Sequence, residues 1–292
     1  METNSNLLKA EEMIGKLKGL PPLPTVLSEA LRLTADSSVS YEKVIRIVSQ
    51  DPSLSSRLLR IANSPYYGLK QRVTTLQLAL VILGLREFRC ILIGSALLDQ
   101  MKSKNPQYQE LYKKLWRESI YMASFSREFS TKLNFEYKGE DFLIGLLANM
   151  GTLLLLNEMP FEYFELINES QNNHQKQLSL EQKRFGFIHT DLATALLRRW
   201  DIPPVLSDSI WRQYHFEQLS LDNAIDPKLS AILRIARYAL LEINEKKEYA
   251  DVLQTSFEIL GNELEDTKNV WQEIKQSKMS ILTQSKINFE NI

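Results

Sequence analysis

The chain has 292 residues, 35 of them basic and 36 acidic, with a formal net charge of -1 and one cysteine. A chain of that length buries a sizeable core without a disulfide or metal staple. Its balanced charge supplies no global field toward nucleic acid or an anionic membrane surface, so no nucleic-acid partner is expected.

Residues 1–10 are polar apart from Leu7-Leu8 and lack the basic start and apolar stretch of a signal peptide, which predicts a cytoplasmic protein. Apolar residues then recur at three- and four-residue spacing almost throughout, and alternating runs are absent, so the pattern predicts an all-α fold. After the rigid segment Leu20-Pro21-Pro22-Leu23-Pro24, Thr25 caps a helix with Leu27, Leu31 and, more loosely, Ala30 inward. Ser40 caps the next, 41–49, with Val44, Ile47 and Val48 on the buried face. Asp51-Pro52 is a strong start, because the carboxylate accepts from free backbone amides while proline loses no bond in the first turn; Leu54, Leu58 and Ile61 make that stripe. Asn63-Ser64-Pro65-Tyr66-Tyr67-Gly68 breaks the helix. Asn63, Ser64, Tyr66 and Tyr67 make a candidate interaction loop, weighed against an ordinary turn.

Thr74 with Gln77 has capping-box spacing, and Gly84 reads as a helix end with another helix running directly on to 98. Cys90 lies in an apolar run and reads as a small buried hydrophobe. The polar gap 102–106 predicts an internal boundary, dividing the chain into 1–103, 104–245 and a pair of C-terminal helices in 246–292. Beyond the gap come 108–133, a buried helix at 142–156, an acidic amphipathic segment at 160–170, and a polar stretch, 171–177, without order signals, in which His174 is expected to be exposed. Helices at 181–186, 189–200, 204–214 and 229–243 follow. The 142–156 run is shorter than the ~20 residues of a membrane span, and 76–98 is interrupted by Arg86, Glu87 and Arg89; no span is expected. Trp116, Trp200, Trp211 and Trp271 read as core, and Arg198-Arg199 as a solvated helix face.

Several segments together resemble the HDOD family, a branch of the HD phosphohydrolase superfamily. They are Leu20-Pro21-Pro22-Leu23-Pro24, Asp51-Pro52-Ser53-Leu54, Leu59-Arg60-Ile61-Ala62-Asn63-Ser64 and Leu83-Gly84, then Leu115-Trp116-Arg117-Glu118-Ser119 and Gly145-Leu146-Leu147-Ala148-Asn149-Met150-Gly151, and lastly Phe185-Gly186-Phe187-Ile188-His189 and Leu197-Arg198-Arg199-Trp200-Asp201-Ile202-Pro203. The resemblance implies two packed helical lobes, the second an HD-like bundle. In the parent superfamily it implies a divalent-metal hydrolase with an early histidine, an adjacent His-Asp pair and a late aspartate, a set that lowers the pKa of bound water.

Here the early position is Glu118, the pair is Ala148-Asn149, and the late position falls near Arg237. A methyl, an amide and a guanidinium cannot hold a dication. His189 and His215 remain at family-like places. A rebuilt site from Glu118, His189, Asp191 and His215 is disfavoured because His189 and Asp191, two apart on a helix, point opposite ways. The reading is therefore a non-catalytic bacterial signalling or regulatory protein without cofactor or metal. Its candidate degenerate pocket is Glu118, Ala148, Asn149, His189, His215 and Arg237; its partners are signalling proteins in trans or a small phosphorylated ligand held by Arg237 and Asn149. The alternatives are a residual metal-dependent phosphodiesterase, and a sensor of cyclic dinucleotides or guanosine polyphosphates.

Overall fold

The computed structural model describes residues 2–17, 25–34, 38–63, 72–100, 106–214, 221–261 and 264–283, and among them every regular element is helical. Local signals account for many helix starts. Asp51 Oδ1 accepts from Leu54 N at 2.9 Å, as a residue before proline at a first turn should. Ser40 occupies the cap position of its helix, but its hydroxyl makes no capping bond. The predicted capping box at Thr74 is displaced by one residue: Thr75 Oγ1 accepts from Leu78 N at 3.1 Å.

The first lobe contains α2 (Thr25–Thr34), α3 (Tyr41–Val48), α4 (Pro52–Ala62) and α5 (Leu76–Gln100), with α2, α3 and α4 all packed on α5. Gly84 interrupts α5 at φ 75° and ψ 168°, a conformation that glycine adopts without steric cost. Asn63 clamps the chain that follows α4: its amide donates to Leu59 O and Val73 O, and its Oδ1 accepts from Val73 N, all at 2.7 Å. Asn63 is thus committed to its own backbone; Ser64, Tyr66, Tyr67 and the 20–24 segment lie outside the described residues.

The second lobe is built from α6 (Gln109–Lys132), α7 (Glu140–Leu147), α8 (Met150–Glu158), α9 (Pro160–Ser170), α10 (His174–Phe185), α11 (His189–Arg199), α12 (Pro204–Trp211) and α13 (Pro227–Glu245). Helices α14 (Gln254–Leu260) and α15 (Leu264–Thr283) pack on α13, and α15 also on α6. The polar N-terminal stretch, given no element by its pattern, is part of α1 (Glu2–Lys16), which lies across α11. There Arg199 donates to Ile14 O at 3.1 Å and Arg198 pairs with Glu11.

The buried helix expected at 142–156 is two helices, broken at Ala148-Asn149. The apolar length Glu140–Glu158 is 83% buried inside the fold, which accounts for its composition without a bilayer. Cys90, Trp200, Trp211 and Trp271 are buried, and Trp116 packs half-buried against the core.

The lobes meet where α5 packs on α7, and an ion network crosses the seam. Arg127 of α6 reaches Asp141 at 2.8 Å and Glu87 of α5 at 3.4 Å, while Arg86 of α5 pairs with Glu140. Asp141 is only 1% exposed, so removing its cation leaves a charge in a poorly hydrated place. Arg127→Ala is expected to cost about 2 kcal/mol, less than a fully buried pair because the arginine is partly solvated. Urea unfolding of the variant checks this, and a loss under ~0.5 kcal/mol would contradict it.

Candidate functional site

The break between α7 and α8 places polar groups in the interior of the second lobe. Asn149 is 3% exposed, and both ends of its amide are committed: Nδ2 donates to Leu115 O of α6 at 3.0 Å, and Oδ1 accepts from Arg237 Nη2 of α13 at 2.8 Å. The same Nη2 reaches Ala148 O at 3.2 Å, and Arg237 Nε donates to Gln213 Oε1 at 3.1 Å. The guanidinium therefore closes the carbonyl gap left by the helix break, and one of the two Asn149 amide hydrogens is spent on Leu115 O.

A second network runs through three helices. The Tyr163 hydroxyl of α9 donates to Glu181 Oε1 of α10 at 2.6 Å. Glu181 also accepts from Gln177 Nε2 at 2.9 Å and, through Oε2, from His189 N and the His189 Nδ1 position, both at 2.8 Å. Burial alone would raise the Glu181 carboxyl, but its donors hold it below the usual range.

His174 repeats the motif: Glu245 Oε1 of α13 accepts from His174 N at 2.8 Å and faces Nδ1 at 2.9 Å, and Glu245 Oε2 accepts from the Tyr249 hydroxyl at 2.6 Å. An ionised carboxylate at Nδ1 keeps the hydrogen there and leaves Nε2 of the neutral ring as an acceptor. Both imidazoles pack on Tyr214, His174 stacked with centroids 6.0 Å apart and His189 edge-on at 5.4 Å, while the Arg237 guanidinium lies 5.5 Å from the same ring. Burial raises the Tyr214 hydroxyl to about 12, so it stays neutral.

These side chains surround a cavity of about 90 Å³, with Glu118, Asn149, His174, His189, Tyr214 and Arg237 in its wall. Glu118, 8% exposed, accepts from Asn244 Nδ2 at 3.0 Å through Oε1. At the mouth Lys114 Nζ donates to Asn172 Oδ1 at 3.2 Å. Four of the six predicted pocket residues thus line one cavity; Ala148 contributes its backbone oxygen from behind, and His215 lies outside the described residues.

The expectation for His174 was wrong. Instead of an exposed loop, 171–177 contains the start of α10, capped by Asn173 Oδ1 on Lys176 N, and His174 is 7% exposed. Its polar sequence neighbours face water while Glu245, 71 residues away, draws the ring inward. His174, Glu181, Tyr214 and Glu245 are the site residues that sequence reasoning missed, since nothing local marks a carboxylate as the partner of a distant imidazole. Asp191 is turned away, capping Ile188 N at 2.9 Å and accepting from Trp211 Nε1 at 2.8 Å. No cluster of three or more His, Cys, Asp or Glu side chains that could hold a metal occurs among the described residues.

Burial holds the His174 imidazole below its ordinary value, against Glu245. Burial likewise pushes the Glu245 carboxyl up, but Tyr249 and His174 bring it below the usual range. With all three folded values depressed, the unfolded chain takes up protons that the fold refuses. Stability is then complete above the unfolded histidine value of ~6.5 and is lost as pH falls, first through His174 and then, below ~4.3, through Glu181 and Glu245. The urea midpoint should decline between about pH 7 and 5, and His174→Gln should flatten that part while leaving the steeper acid fall. A midpoint constant over that interval would contradict the assignment.

Residues 20–216 match the family model described as HDOD domain. A protein of Treponema pallidum (strain Nichols) is 20% identical over 223 residues, 76% of this chain and 42% of its own length. The cyclic di-GMP phosphodiesterase CdgJ of Vibrio cholerae is 29% identical over 140 residues, 48% of this chain and 31% of that protein. The chain thus spans less than half the length of these curated relatives. Among solved structures, an HDOD domain protein from Geobacter sulfurreducens superposes with a TM-score of 0.76 at 20% identity, covering 96% of this chain and 97% of that one. A protein from Shewanella amazonensis SB2B, proposed to be a phosphohydrolase, gives 0.70 at 22% identity over 97% and 98%. The ordered motifs, the two-lobed helical fold and the family match over residues 20–216 agree, and the chain belongs to the HDOD domain family.

Proposed function

We propose that this chain is a non-catalytic bacterial signalling module of the HDOD type, acting in the cytoplasm by binding a partner protein or a small ligand. One observation carries the reading: the Arg237 guanidinium bonds the oxygens of Asn149 and Ala148 at 2.8 and 3.2 Å, where the resemblance would put the centre of a metal-ligand set. A dication about 4 Å from that charge would meet a repulsion on the order of 8 kcal/mol at the effective dielectric of ~20 that suits protein sites. Two of the nearby carboxylates are used elsewhere, Asp191 on Trp211 and Glu181 on His189, which leaves Glu118 as a single carboxylate facing the cavity against that guanidinium. These residues do not fit a metal ion, and no step is derived through one.

The name of the Vibrio relative supports the alternative of a phosphodiesterase. Its alignment takes in 31% of that protein, which leaves ample room for the named activity outside the shared part. The test is elemental analysis of purified chain after exposure to Mn²⁺, Fe²⁺ and Mg²⁺ and dialysis, together with a cyclic di-GMP hydrolysis assay. Retained metal far below one equivalent and no turnover are expected; stoichiometric metal with turnover would overturn the proposal.

A further inference from the structure

The cavity wall carries two opposite charges that do not neutralise each other. Glu118 of α6 spends Oε1 on Asn244, and its Oε2 has no partner among the described residues. Arg237 of α13 spends Nε and Nη2, and its Nη1 has none either. Both side chains are more than nine-tenths buried, both line the cavity, and no ion pair joins them. Neither unpartnered atom is among the fully enclosed ones left without a bond, so both face the cavity space, and a molecule held there can supply the missing bonds. His174 adds an acceptor to the cavity wall, since Glu245 holds its Nδ1 atom and leaves Nε2 as the bare position.

Charge and size then restrict the occupant. A phosphate dianion would meet Arg237 but also Glu118, with Glu181 and Glu245 behind the imidazoles; a simple cation would meet the guanidinium. A molecule with an ammonium at one end and a carboxylate at the other satisfies both walls. At about 90 Å³ the cavity is smaller than the ~150 Å³ that encloses benzene in an engineered apolar site, so it takes a head group of a few heavy atoms. Anything larger must extend through the mouth beside Lys114 and Asn172.

Resting on the reading of this pocket as a binding site without metal, we propose that it binds the zwitterionic head of a free α-amino acid, ammonium on Glu118 Oε2 with a histidine Nε2, carboxylate on Arg237 Nη1. The side chain of the amino acid points to the mouth.

The full chain is screened by thermal shift against the standard free L-amino acids, their N-acetyl and methyl-ester derivatives, and inorganic phosphate. At a concentration ~100 times its Kd, a bound amino acid should raise Tm by about 4 °C, whereas derivatives lacking either charge and phosphate should not. In calorimetry, Glu118→Gln should weaken the responding amino acid by about 30-fold, the loss typical of an unpaired buried charge. Arg237→Gln is a second variant, but the derivatives test the same charges on unaltered protein should it fold poorly. A response to esters or N-acetyl compounds equal to that of the free amino acid, or none to any amino acid in metal-free protein, overturns this inference alone. Stoichiometric bound metal overturns the reading beneath it.

Discussion

Glu181→Ala is expected to lower stability by about 3–5 kcal/mol, the range for removing one partner of a buried charged network. Four donor atoms lose their acceptor at once: the Tyr163 hydroxyl, Gln177 Nε2, and the backbone nitrogen and Nδ1 of His189. They come from α9, α10 and α11, and Glu181 itself is fully buried. Each orphaned buried donor costs ~1–3 kcal/mol before relaxation, which places the sum in the stated range even if half is recovered. Glu181→Gln keeps one acceptor oxygen but turns an amide toward donors, and should cost about half as much. Urea unfolding of the three proteins at neutral pH decides the matter. If the alanine variant lost under ~1 kcal/mol, the network would not be what joins these helices.

The second large effect is expected at Gly151. A Cβ there would overlap the carbonyl group of His189, and one at Gly145 would overlap the backbone of Ala123 on α6. Backbone, unlike a side-chain tip, cannot swing aside, so α8 must lift from α11. Gly151→Ala should therefore cost about 3 kcal/mol, toward the upper end for overpacking. Because His189 lines the cavity, the variant should also lose the response to the proposed ligand before it loses fold. Gly15 in α1 is the control: a Cβ there meets nothing within 4 Å, so Gly15→Ala should be neutral or stabilising by about 0.5 kcal/mol. Equal thermal stability of Gly151→Ala and Gly15→Ala would contradict the close-approach account.

Both glycines stand in a segment whose resemblance was visible in the sequence, Gly145-Leu146-Leu147-Ala148-Asn149-Met150-Gly151. Their reason was not, because it lies in Ala123 and His189, which only tertiary packing brings near. The capping choice at 74 or 75 shows the same limit on a smaller scale: either threonine could accept, and it is Thr75 that does. The break at Ala148-Asn149 was hidden for the opposite reason. Asparagine in an apolar run reads as a tolerated polar residue until Leu115 O and Arg237 are seen to hold its amide.

Taken alone, the order of amino acids determined what depends on near neighbours: helical spacing, the Asp51-Pro52 start and the kink at Gly84. Tertiary structure decided the pairings over long separations. It set α1 against α11 and seated His174 against Glu245 and His189 on Glu181. It also left Glu118 and Arg237 facing one cavity without touching. The physical reason is that periodicity and capping act within one or two turns of chain, whereas a buried charge finds its counterpart only after the helices have packed and water has gone.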